Sequence, residues 1–154
     1  MGVASIRLHA DGGFYDLIKI SGGGSRQPLS SAVLEGQGHT LRIQGSKIYR
    51  LAVRQLAQAV REHVADEKWE LEELDHIIFH QANGRLIAQV CKALGAPASR
   101  SFSIIDHLGN ASSASLPIAM DRANRSFRLK PGHRVLVGTF GGGLTWGTAL
   151  VRWG

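Results

Sequence analysis

The sequence predicts an α/β fold, a mixed five-stranded sheet with helices on both faces, in the element order ββαβαβαββ. Three observations predict it. Apolar residues recur at three-to-four spacing over Ser46–Glu67 and again over Asn83–Leu94. Short apolar, β-prone runs at His76–His80 and Ser101–Ile105 alternate with these helical segments. Two longer runs of the same kind, His133–Phe140 and Leu144–Trp153, close the chain. Strands alternating with helices place a sheet between helical layers. A length of 154 residues corresponds to one domain, and 44% hydrophobic residues suffice for its core.

At the start, Val3–His9 and Phe14–Ile20 flank Ala10-Asp11-Gly12-Gly13, an Asp-Gly signal that predicts a β-hairpin. Ser21–Gly45 has the Gly, Ser, Gln and Pro content of a long loop, with a weak apolar patch at Ala32–Leu34. In the long helix the apolar face is Ile48, Leu51, Ala52, Leu56, Ala59, Val60 and Val64, with Ser46 as its expected N-cap. A charged segment, Glu70–Asp75, leads into the strand His76–His80. The helix Asn83–Leu94 is stopped by Gly95 and Pro97. After the strand Ser101–Ile105, Gly109-Asn110 opens a small-residue helix that runs to about Phe127. Lys130-Pro131-Gly132 forms a turn, and Gly141-Gly142-Gly143 joins the last two strands.

Composition narrows the function classes. The net charge is +6, yet the basic residues are dispersed and form no Lys/Arg run with interleaved aromatics, so nucleic acid is not implied. A diffusely basic surface fits an acidic partner or a phosphorylated cofactor. One cysteine allows neither an internal disulfide nor a Cys-based zinc site. No apolar run approaches the roughly 20 residues that span a bilayer, so no membrane role is expected and the cytoplasm is the expected address.

Four places could carry chemistry. His80 ends an apolar strand immediately before a helix, where ligands gather in open α/β sheets; the alternative is a histidine bonded to a nearby carbonyl. His76 cannot share a metal with it, because four residues of strand separate the rings by roughly 13 Å, and no metal centre is expected. Asn110, in Leu108-Gly109-Asn110-Ala111-Ser112-Ser113-Ala114-Ser115, is either functional or a plain helix cap. Gly141-Gly142-Gly143 lies between strands, so it is no dinucleotide fingerprint; it allows close backbone approach to a ligand, or is an ordinary hairpin loop. Cys91 sits mid-helix among apolar residues with nothing to activate it, and reads as a small core residue rather than a nucleophile.

Several strings in order along nearly the whole chain carry a resemblance: LHADGG at the start, HQANGRLI at 80–87, LGNASSAS at 108–115, LKPGHRVLV at 129–137 and FGGGLTWGTALVRW at 140–153. Together they resemble the C-terminal half of the β-ketoacyl-acyl-carrier-protein synthase III family of the thiolase superfamily. The resemblance implies a thiolase-like half that pairs with an N-terminal half into αβαβα layers. That half, absent here, would supply the acyl-accepting cysteine as a separate chain or missing segment.

What the resemblance implies for residues follows position by position. His80 matches the family's catalytic histidine and Asn110 its catalytic asparagine. Gly142 would offer a backbone N–H to the acyl oxyanion, and Phe140 would wall the acyl pocket. Asn83, Gly45, Ser46, Ala82 and Leu86 match CoA- or pantetheine-binding positions. Arg85 and Lys92 match positions that meet the acidic carrier protein; taken alone they read as a solvated helix face. Ser46 stands where the family often has asparagine, Tyr49 where it often has phenylalanine, and Leu108 where a histidine is common. The implied activity is an acyltransferase reaction, decarboxylative Claisen condensation of acyl-CoA with malonyl-acyl-carrier protein, with acyl-CoA as substrate and no other cofactor. A homodimer of the complete enzyme is expected. The alternatives are a related acyltransferase of secondary metabolism and a non-catalytic remnant that binds CoA or carrier protein.

Overall fold

The computed structural model describes residues 1–154. Its main sheet has four strands in the order β1-β6-β5-β4: β1 Gly2–Ala10, β4 His76–Phe79, β5 Arg134–Gly141 and β6 Thr145–Arg152. β4 runs parallel to β5, while β5–β6 and β6–β1 are antiparallel, so the sheet is mixed as expected. Its second helical segment is α2 Gly45–Asp66, its third α3 Gly84–Leu94 and its last α5 Ser115–Arg125.

Period-two alternation sends successive strand residues to opposite faces. Ile77, Phe79, Leu136 and Leu150 join the cluster under α2 and α3, with Leu56, Val60 and Val90. Ile78, Val135, Val137 and Val151 face the other way and pack with Ala119 and Ala123 of α5. All four β4 residues are buried, as a strand covered on both sides requires. Gly138, opposite Phe79 in the parallel ladder, has no room for a side chain: a Cβ there would lie 2.7 Å from the Phe79 ring.

Helix ends follow local rules. The Asn83 side chain caps α3 by accepting from Arg85 N at 2.9 Å, and Gly95 ends it at φ 74°, a left-handed conformation glycine adopts freely. At α2, Ser46 is not the cap. The helix starts one residue earlier, at Gly45, behind Gln44, which makes no side-chain cap bond.

Several sequence expectations are corrected by long-range pairing. The expected N-terminal hairpin does not form. Asp11 exchanges backbone bonds with Leu144 at 2.9 and 3.0 Å, and its side chain caps a 3-10 turn over Gly12–Leu17. β1 therefore pairs with β6, and only β2, Ile18–Ile20, remains extended. The loop Ser21–Gly45 contains a short helix, α1 Ser31–Glu35, and β3 Leu41–Ile43, which pairs with β2 as a separate ribbon. The strand expected over Ser101–Ile105 shrinks to one parallel bridge, Ser101 with Ile77, so the expected fifth strand of the sheet is a single bridge. The cause is Gln81, whose Oε1 accepts from Ile104 N at 2.9 Å and from the Ser103 hydroxyl at 2.7 Å, drawing the chain off the sheet edge. A short helix, α4 Ile105–Leu108, follows. The helix expected from Gly109 begins instead with a 3-10 turn over Ser112–Ala114, becomes α-helical at Ser115 and ends at Arg125.

One region of the sheet stays uncovered. Ile6 lies opposite Ala149, on the α5 side, and is 60% exposed; Leu8, opposite Gly147, is 80% exposed.

Candidate active site at the carboxyl end of the parallel strands

β4 and β5 run parallel, and beyond their carboxyl ends the chain leaves a cavity of about 430 Å³. Its walls are mostly apolar. Ile18, Leu41 and Ile43 come from the β2–β3 ribbon, Ile48 and Tyr49 from α2, and Phe140 from β5. Among these, His80, Asn83 and Asn110 place polar side chains.

His80 follows the last residue of β4, and its backbone N–H continues the ladder to Gly138 O at 2.8 Å. This bond orients the residue at the cavity floor. Its Nδ1 lies 2.5 Å from the Ser115 hydroxyl. Burial pushes its pKa below the usual histidine range, so the ring is neutral at pH 7. Asn110 lies in the turn before α5. Its Oδ1 accepts from Ser112 N at 2.9 Å, which leaves the carboxamide N–H groups without a protein partner. A neutral imidazole and a free amide thus border one apolar space, a setting in which hydrogen-bond donors act strongly on a developing oxyanion.

The other expected positions divide. Gly45, Ala82, Asn83, Leu86 and Phe140 line the same cavity as His80 and Asn110. Asn83 is at the same time the α3 cap. Gly142 and Ser46 stand outside the wall, each next to a residue that forms it, Gly141 and Gly45. Gly142 is exposed and its carbonyl accepts from the Thr145 hydroxyl at 3.1 Å. Arg85 and Lys92 are exposed on α3, and Arg50 and Arg54 are exposed on neighbouring α2. The Tyr49 hydroxyl donates to Arg85 O at 3.4 Å, joining the two helices at the rim. Cys91 is buried and burial pushes its thiol pKa up, so it is inert as a nucleophile.

Two residues of this region carried no sequence signal of their own. Ser115 sits in a run readable only as small packing residues, and Gln81 follows a strand as any polar residue would. Both are fully or almost fully buried and bonded, with Gln81 Nε2 donating to Phe79 O at 2.6 Å. The extended ribbon that supplies Ile18, Leu41 and Ile43 was hidden inside a segment of loop composition.

Comparison with known proteins agrees with this fold. The family described as 3-oxoacyl-[acyl-carrier-protein (ACP)] synthase III C terminal matches residues 64–153. A β-ketoacyl-[acyl-carrier-protein] synthase III of Aliarcobacter butzleri is 38% identical over 150 residues, 97% of this chain and 45% of the relative. The crystal structure of a 3-oxoacyl-(acyl carrier protein) synthase III from Pseudomonas aeruginosa PAO1 superposes with TM-score 0.85 at 31% identity, covering 98% of this chain and 44% of that one. The corresponding Aquifex aeolicus VF5 structure gives TM-score 0.84 at 30% identity, over 99% of this chain and 44% of that one. The chain thus spans a little under half the length of the relatives it matches. With a thiolase-like half-fold and matches along its whole length, the chain belongs to the 3-oxoacyl-[acyl-carrier-protein] synthase III family, as its C-terminal part.

Proposed function

We propose that this chain provides the decarboxylating part of a β-ketoacyl-acyl-carrier-protein synthase III active site and works with an N-terminal half that carries the nucleophilic cysteine. The observation that supports it most is the shared cavity of His80 and Asn110, with a neutral ring and an uncommitted amide. In the reaction the malonyl thioester loses carbon dioxide, and the electron pair of the broken C–C bond becomes an enolate. The imidazole N–H and the Asn110 amide donate to its oxygen. The enolate carbon then attacks the acyl thioester on the partner cysteine, forming the new C–C bond and releasing the thiolate. Gly142 offers its backbone N–H to the acyl oxyanion of that second step, and Phe140 walls the acyl pocket. Asn83, Gly45, Ser46, Ala82 and Leu86 contact the pantetheine arm, acyl-CoA is substrate and no further cofactor is used.

The uncovered apolar strip at Ile6 and Leu8 supports docking of an N-terminal half, since exposed strips of this kind mark interfaces. Carrier protein meets the basic face of Arg85 and Lys92, the complete enzyme is a homodimer, and its place is the cytoplasm. No helix is long and apolar enough to cross a membrane.

The test is acylation and turnover in the assembled protein. Acyl-CoA should label a cysteine outside this chain, and malonyl-carrier protein should then yield the β-ketoacyl product. His80→Ala should keep the label and lose the product. Labelling of Cys91, or product formation undiminished in His80→Ala, would refute the reading.

A further inference from the structure

We propose that Ser115 is a positioning residue that places the proton of His80 on Nε2, the nitrogen turned away from Ser115. The residue is 1% exposed, at the first turn of α5. Two groups meet its Oγ: the backbone N–H of Gln81 at 3.1 Å and Nδ1 of His80 at 2.5 Å. An amide N–H can only donate, so Gln81 occupies a lone pair of the oxygen. The hydroxyl still has one proton to give, and Nδ1 is the acceptor in reach. Were Nδ1 to carry a proton instead, it would donate to Oγ, and the Ser115 proton would be buried without an acceptor. Leaving a buried donor unpaired costs roughly a five- to hundredfold factor in population. The array therefore runs one way, from Gln81 N–H to Ser115 O–H to His80 Nδ1.

Two consequences follow. The neutral ring presents Nε2–H toward the cavity rather than a bare lone pair, so it can donate to an oxyanion but not act as a base there. The imidazolium also suffers the orphaned hydroxyl, so Ser115 works alongside burial in keeping the ring uncharged. Gln81 makes the array rigid. Its side chain is tied to Phe79 O, Ser103 and Ile104, which holds its backbone N–H against Ser115. The catalytic consequence rests on the proposed function; the proton placement does not.

The experiment is long-range ¹H–¹⁵N correlation spectroscopy on the protein labelled with ¹⁵N-histidine, together with any chain that accompanies it. The His80 signals are identified by their loss in His80→Asn. At pH 7 the expected pattern is a protonated Nε2 and an accepting, unprotonated Nδ1. A protonated Nδ1, or an even mixture of tautomers, would overturn the proposal. Ser115→Ala should give mixed tautomers and raise the His80 titration midpoint, whereas Ser115→Thr, which keeps the hydroxyl, should retain the original pattern. An unchanged tautomer in a folded Ser115→Ala also overturns it; should that variant fail to fold, the unsubstituted protein and Ser115→Thr decide alone. In the assembled enzyme, Ser115→Ala should lower kcat for malonyl decarboxylation roughly tenfold with KM within about twofold. If the Nε2–H form is found but no decarboxylation occurs in the unsubstituted protein, the functional reading falls while the role of Ser115 stands.

Discussion

Replacing Asn110 separates its two bonding capacities, because the structure engages only one of them. The Oδ1 of Asn110 accepts from Ser112 N at 2.9 Å, while the N–H groups are free beside the cavity that His80 also lines. Asn110→Ala removes both. The lost bond to Ser112 costs about 1 kcal/mol of stability, since it lies on an exposed turn. The lost donor costs roughly 3–4 kcal/mol of barrier lowering, a hundred- to thousandfold in rate. Asn110→Asp is the discriminating variant. A carboxylate still accepts from Ser112 N but turns a negative oxygen, not a donor, toward the enolate. It should fold like the unsubstituted protein and be at least as slow as Asn110→Ala. The assay is carbon dioxide release from malonyl-carrier protein by the assembled enzyme, beside thermal unfolding of each variant. Decarboxylation by Asn110→Asp within about tenfold of the unsubstituted rate would refute the reasoning, as would a rate loss in Asn110→Ala fully matched by loss of folded protein.

Buried histidines make stability fall in acid. Burial lowers the pKa of His63, His76 and His80, so between their folded values and the unfolded value of about 6.5 the unfolded chain binds more protons. Stability should be full above that range and drop as pH falls through it; a Tm unchanged from pH 7.5 to 5 would contradict this. Of the three, His63 bridges the hydroxyls of Ser5 and Thr148 at 2.7 Å each, so His63→Leu should weaken that pH dependence in the same scan. Gly138→Ala places a Cβ 2.7 Å from the Phe79 ring and should destabilise by about 1–3 kcal/mol in denaturant titration. Phe79→Leu should relieve part of that cost, and strict additivity of the pair would count against the contact. Arg85→Glu with Lys92→Glu should raise KM for a carrier-protein substrate while leaving turnover of the equivalent CoA thioester and the Tm unchanged; equal effects on both substrates would count against a docking role.

What could be read from the chain alone was whatever neighbours in sequence decide. The apolar stripe of α2, the Gly95 stop of α3 and the strand-to-helix step at His80 each depend on contacts a few residues apart. The apolar run Ile77-Ile78-Phe79, in a chain whose strands alternate with helices, was enough to predict a sheet with helices on both faces. Tertiary structure alone decided pairing and proton order. Asp11-Gly12 carries a hairpin signal, but bonds from Asp11 to Leu144 outweigh it and give β1 to β6. Ser101–Ile105 has strand composition, yet the Gln81 side chain takes the backbone donor of Ile104 and the hydroxyl of Ser103. The partner of His80 lies 35 residues away, where no periodicity points to it. Hydrogen bonds between distant segments depend on which groups the packed chain brings together and leaves unsatisfied, and that is settled only once the core has formed.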